Sequence, residues 1–120
     1  PVTMESCIEF ALTFPGAVAD APFDEDTIVL RHRDSRKWFG LLIHVHGVPC
    51  INLKCDPLPI GSLRAEPGFF PAYHMNKASW ITAALDGSIP DDKLKMLLEL
   101  SFEATAPGRR GRKADKEQER

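Results

Sequence analysis

The sequence predicts an α+β domain of two layers: a five-stranded antiparallel sheet with helices mainly on one face, ordered helix, three strands, short helix, two strands, helix. Three observations carry this. Apolar residues recur at helical spacing in the first and last segments, at Met4, Cys7, Ile8, Ala11 and Leu12, and again at Leu94, Leu97, Leu98 and Phe102. Between them, short apolar and β-branched runs are separated by polar or glycine-bearing turns. No internal repeat is present, and 120 residues with 43% hydrophobic content suffice for one core but not for two. The expected division is a single domain over residues 1–106 and a mobile basic tail over 107–120.

Each element follows from local chemistry. Thr3 can cap a helix that Pro15-Gly16 stops, and Ala17 to Asp26, rich in acids and containing Pro22, reads as an irregular connector. Thr27 to His32 is a strand, and Arg33 to Arg36 a polar turn. In Lys37 to His46, strict alternation would send Phe39, Leu41, Ile43 and Val45 inward and Trp38, Leu42, His44 and His46 outward. After a turn at Gly47, Cys50 to Cys55 points Ile51, Leu53 and Cys55 one way and Cys50, Asn52 and Lys54 the other. Ile60 to Glu66 allows a turn or two of helix before Pro67-Gly68. Phe69 to Met75 and Trp80 to Leu85 are the last strands. Asp86-Gly87-Ser88 turns the chain, and a helix opening at Ser88 and Pro90 runs to about Thr105.

Composition restricts the function classes. No apolar run approaches the roughly 20 residues of a membrane span, and a cytoplasmic location without membrane contact is expected. Cys7, Cys50 and Cys55 have neither zinc-finger spacing nor disulfide density, so reduced thiols are expected. The net charge of −2 hides a strong pattern. Residues 1–30 carry six acids and no Lys or Arg; residues 31–77 carry seven bases against three acids, a balance of +4, and all four histidines. Residues 107–120 have six bases against three acids, while 1–106 together stand at −5. A polyanion would be welcomed only by the middle of the chain and the tail.

Four stretches, "ALTFPGA" at 11–17, "INLKCDP" at 51–57, "YHMNKASWITAALDGSIPDD" at 73–92 and "SF" at 101–102 in the Leu-rich closing helix, together resemble the MmcQ/YjbR-like family. The resemblance covers most of residues 3–105 and implies a fold similar to that of frataxin and of secretion chaperones, with a DNA-binding role as the family's usual label. Its motif residues here are Asn52, Lys54, Asp56, Tyr73, His74, Asn76, Lys77, Trp80, Asp86 and Gly87. This chain departs from the pattern at Ser79, where members commonly have His, and at Phe102, where they commonly have Tyr. A His-dependent chemistry, if the family has one, would be partly lost here.

Three function classes compete. For nucleic-acid binding, the expected phosphate contacts are Arg33, Arg36, Lys37, Lys54 and Lys77, with the turns at Arg33 to Lys37 and Gly47 to Pro49 as paired wings. Arg109, Arg110 and Arg112 in the tail resemble an AT-hook core and would supply an auxiliary grip, although Lys113 stands where Pro normally follows. The alternative is a protein-interaction module, a homodimer or partner contact made through apolar residues such as Trp38 and Leu42. The third is an enzyme using His74, Asn76 and Lys77 as an anion site; no catalytic nucleophile or paired acid accompanies them, so side chains that pin a strand crossing are the better reading. His44-x-His46 with His32 falls short of a defined zinc set, and Glu5 and Glu9 alone make no acidic ridge for hard cations. No metal or cofactor is expected.

Overall fold

A computed structural model describes residues 2–21 and 26–106 of the chain, and its first element is set by a capping box. Thr3 Oγ1 accepts the Ser6 N–H at 3.1 Å while Ser6 Oγ accepts the Thr3 N–H at 2.8 Å, opening helix α1 (Met4–Ala11). The chain then enters a strand, β1 (Ala17–Asp20), where an irregular connector was expected. Its small residues carry little intrinsic strand signal. Pairing decides the matter: β1 lies antiparallel to β2 (Ile28–His32), with Ala17 opposite His32, and Asp20 accepts from Arg31 Nε at 2.5 Å.

The sheet therefore has six strands rather than five, all antiparallel. The remaining members are β3 (Trp38–Val45), β4 (Val48–Lys54), β5 (Phe69–Pro71) and β6 (Trp80–Ala84), in the spatial order β1-β2-β3-β4-β6-β5. Helix α2 (Pro57–Leu63) joins β4 to β5, and α3 (Asp91–Ala104) closes the fold. Helices α1 and α3 pack on each other and on one side of the sheet, while α2 contributes Leu63 to the core and holds the loop before β6 through Arg64.

A β-bulge corrects the expected facing of β3. Leu30 pairs with Gly40 but Arg31 pairs with Trp38, leaving Phe39 as an extra residue. Phe39 is turned fully inward, edge-on to Phe102 of α3 at 5.0 Å between ring centroids. Strict alternation fails at that step, so Leu42, expected outside, is fully buried with Leu30, Ile51, Leu53 and Ile81 in the helix-side core. Leu41 and Ile43, expected in that core, lie with Trp38 on the opposite face. The prediction for β4 needs no such change: Ile51 and Leu53 are core residues, and Asn52 and Lys54 face the other way.

The bulge also opens the β3–β4 ladder at its end, and α3 fills the gap. Ser101 Oγ donates to the Phe39 carbonyl at 2.5 Å and accepts the Lys54 N–H at 2.9 Å. One helical hydroxyl thus satisfies two strand groups that would otherwise be buried without partners. Beside it, His32 stacks on Phe102 at 4.4 Å and its Nε2 lies 2.8 Å from Thr105 Oγ1. Burial holds the His32 imidazole below its ordinary pKa, and Lys37 adds to that; a hydrogen bond with the Phe102 backbone opposes it.

Candidate ligand face of the sheet

Cross-strand register places Asn52, Lys54 and Trp80, of the sequence-predicted residues, on the sheet face opposite α1 and α3. Paired residues share a face, so Arg31 stands beside Trp38, Lys54 beside Trp80, and Asn52 beside Thr82. Lys54 Nζ lies 5.7 Å from the Trp80 ring centroid, within reach of a cation–π interaction. Trp80 is buried beneath it, whereas Trp38 is partly buried. One end of this face therefore carries a row in which basic and aromatic side chains alternate.

The turn bearing Arg33, Arg36 and Lys37 joins β2 to β3 at that same end, and all three side chains are exposed. Lys77, also exposed, sits three residues before Trp80 and enters from the same end. The two hairpin tips expected as paired wings do not act together. Val45 pairs with Val48, so the His46-Gly47 turn lies at the far end of β3 from the Arg33 to Lys37 turn. Carboxylates occupy part of the basic end: Arg31 is ion-paired with Asp20 at 2.5 Å, Arg33 reaches Asp34 at 3.6 Å with both exposed, and Asp56 follows β4 as an exposed residue. Arg109, Arg110 and Arg112 lie outside the described residues.

The loop between β5 and β6 folds across the middle of the face and is fastened there by side chains. Thr82 Oγ1 donates to Asn52 Oδ1, Asn52 Nδ2 donates to the Tyr73 carbonyl at 3.0 Å, and the Tyr73 N–H donates to Thr82 Oγ1 at 2.9 Å. The three bonds form a closed ring in which two buried side chains treat the Tyr73 backbone as a partner strand would. Asn76 shapes the turn that follows: its Oδ1 accepts the Ala78 N–H at 2.9 Å and its carbonyl accepts from Ser79 and Trp80. Arg64 donates to the Lys77 carbonyl at 3.3 Å. His74 has φ +60, and its ring stands 4.1 Å from that of Tyr73, which is 42% exposed.

Under this loop lies a cavity of about 680 Å³. Trp38, Leu41 and Ile43 of β3 form one wall, Tyr73, His74 and Met75 another, and Asp26, Thr27 and His44 complete it at the end away from the basic turn. Its lining is mostly apolar with a few polar groups at the margins, the make-up of small-molecule and single-base sites. Of the three residues considered for an anion site, His74 lines the cavity while Asn76 and Lys77 do not.

The other motif residues are elsewhere. Asp86 and Gly87 turn the chain at the far end of β6, where the Asp86 carboxylate accepts the Ser88 N–H at 3.0 Å and the Ser88 hydroxyl; these bonds hold its pKa below the usual carboxylate value. His32 belongs to the helix side and the opposite end from His44 and His46, so the three imidazoles share no site. Among the described residues no cluster of three or more His, Cys, Asp or Glu is arranged to hold a metal ion. Sequence reasoning passed over Thr82, whose only signal was its place two residues after Trp80 on the same face.

The family model for YjbR matches residues 12–104, a span containing every one of these elements except α1. The chain belongs to the YjbR family. Among its relatives, the uncharacterised protein YyaQ of Bacillus subtilis is 33% identical over 102 residues, covering 75% of this chain and 86% of that protein. The uncharacterised protein YjbR of Escherichia coli K12 is 28% identical over 103 residues, covering 85% and 86% respectively. A crystal structure of a Pseudomonas syringae protein matches with TM-score 0.82 and 35% identity over 88% of this chain and 100% of that one. A Deinococcus radiodurans protein matches with TM-score 0.74 and 30% identity over 82% of this chain and 75% of its own. In this YjbR-family chain, the motif positions Asn52 and Tyr73 meet in the latch described above, and Phe102 meets His32 and Phe39 in the core.

Proposed function

We propose that this YjbR-family chain binds nucleic acid, weakly and largely without regard to sequence, at the basic end of the sheet face opposite α1 and α3. The observation that carries this reading is the alternation of Arg31 with Trp38 and of Lys54 with Trp80 across adjacent strands, next to the exposed Arg36, Lys37 and Lys77. Phosphates answer to the cations and base rings to the partly exposed Trp38 indole. The −5 balance of residues 1–106 opposes this at long range, but screening reduces such a field within about 10 Å at 0.1 M salt, leaving the local end dominant. Arg109, Arg110 and Arg112 add an auxiliary grip. On this reading the role is one of binding, with Asn76 Oδ1 serving its own turn. Fluorescence anisotropy with a labelled duplex in dilute and in physiological salt tests the reading, and absence of binding even in dilute buffer defeats it.

A protein-interaction reading rests on a separate observation. The edge strand β5 presents Phe70 at 52% exposure, although Leu42, the contact residue expected from the sequence, is inaccessible. Sedimentation over a concentration range separates the two readings, because a homodimer would associate with concentration in the absence of nucleic acid. No helix among the described residues is long and apolar enough to cross a membrane.

A further inference from the structure

We infer that the cavity beneath the β5–β6 loop receives an unstacked nucleobase, so that the chain prefers single-stranded to duplex nucleic acid. This rests on the nucleic-acid reading above and adds to it the form of the ligand. Four features lead to it.

First, the cavity and the basic row share Trp38, whose cross-strand partner is Arg31. A strand whose phosphates lie along Arg36, Lys37 and Lys54 therefore has the cavity mouth within one nucleotide's reach. Second, the size fits. About 680 Å³ lies inside the roughly 300–1,000 Å³ range of small-ligand sites, ample for a nucleoside, whereas a base held in a duplex cannot enter a recess at all. Third, the lining offers what an extruded base seeks: flat π surfaces from Trp38 and from the Tyr73–His74 pair, with Met75 and Leu41 as apolar neighbours. Fourth, the charge along the cavity is graded. Asp26 stands at the end away from the basic turn, which repels phosphate there and suits the exocyclic amino groups of adenine, guanine or cytosine. A nucleotide thus has a defined direction, backbone toward Lys37 and base toward Asp26.

The latch makes this a preformed recess. Asn52 and Thr82 hold the Tyr73 backbone on the sheet, so the loop's aromatic pair is positioned before any ligand arrives.

The test uses the 120-residue chain with a fluorescein-labelled oligodeoxyadenylate of about 15 nucleotides, whose bases carry the exocyclic amino group, in single-stranded form and annealed to its complement, at low salt. The expected result is tighter binding of the single strand, with quenching of Trp38 emission on saturation. Trp38→Ala should weaken single-strand binding at least about fivefold, the lower bound for losing one stacked base, and duplex binding by a smaller factor, since paired bases do not enter the cavity. Trp38→Phe keeps a ring and should restore most of the affinity, which separates lost stacking from lost folding. Tyr73→Ala should act in the same direction. Equal affinity for both forms, unaltered by Trp38→Ala and Tyr73→Ala, overturns the base-insertion inference and leaves the charge-based reading intact. Failure to bind either form removes both.

Discussion

Asn52 and Thr82 stand opposite each other on β4 and β6 and share a 2.5 Å hydrogen bond, and between them they bind both backbone groups of Tyr73. Both side chains are buried, so the loop from 72 to 79 is attached to the sheet by polar groups that have no access to water. Replacing Thr82 with Val keeps the shape and removes the hydroxyl, leaving the Asn52 oxygen and the Tyr73 amide without their partner. The expected cost is about 1–3 kcal/mol in urea denaturation. Hydrogen exchange at the Tyr73 amide should rise as well, and an unchanged rate would show that the loop is held by something else.

Charge at the basic end is separable from the latch. Lys37→Ala and Lys77→Ala should each lower the salt dependence of oligonucleotide binding by about one phosphate's share, close to 0.9 in log–log slope for a duplex and 0.7 for a single strand. Folding should be unaffected, since both side chains are exposed. An anisotropy titration across salt concentrations measures the slope, and an unaltered slope in both variants would remove these residues from the interface.

His32 supplies a pH dependence of stability. Burial lowers its pKa in the folded chain, whereas in the unfolded chain it titrates near the ordinary 6.5, so the unfolded state takes up a proton first as pH falls. Stability contributed by the neutral ring is fully present above that value and is lost progressively as pH drops from about 6.5 toward the folded pKa. Thermal unfolding between pH 8 and pH 5 should show this slope. His32→Leu should flatten it, even though the variant also gives up the contact with Thr105.

Two glycines with similar backbone angles should respond differently to alanine. Gly68 has φ +89, and a Cβ built there would come within 2.6 Å of Ile89 Cγ1 and 2.8 Å of Ser88 Oγ. Gly47 has φ +82 with no heavy atom within 4 Å. Gly47→Ala should cost only the left-handed strain, about 1–2 kcal/mol, and Gly68→Ala a further 1–3 kcal/mol, roughly, for overpacking. Chemical denaturation of the two variants checks the order.

The thiols should be inert in the native state. Burial pushes both Cys7 and Cys55 up to about 11, and Cys50 is raised by burial and by the nearby Asp86. A chromogenic disulfide reagent at pH 8 should react slowly with the native protein and rapidly with all three thiols in urea; a fast native phase would place one of them at the surface.

Much of this was legible in the sequence, and the misses have physical causes. The capped first helix, the alternation in β4 and the stripe of α3 follow from side-chain spacing that tertiary contacts reinforce. Ala17 to Asp20 escaped because small residues become a strand only through the ladder that β2 provides. The facing of Leu41, Leu42 and Ile43 was inverted because alternation cannot reveal one extra residue at Phe39. Phe69 to Met75 was too long a strand by four residues, since after Pro71 the chain bonds to the Asn52 and Thr82 side chains instead of a neighbouring backbone. The motif cluster drew attention to Tyr73 and Asn52, but their meeting is a property of register, visible only when β4 and β6 are adjacent.

The bulge at Phe39 also bears on how such a protein can diverge. Trp38 and Phe39 are consecutive, yet one answers to whatever touches the outer surface and the other to Phe14, His32 and Phe102 inside. Selection can therefore alter the outer ring in one lineage and keep it in another while the interior stays constant. Deleting a single residue between Trp38 and Leu41 would leave one inward position where Phe39 and Gly40 now stand, so the ring contact with Phe102 and the close fit of Gly40 against Leu30 could not both be kept.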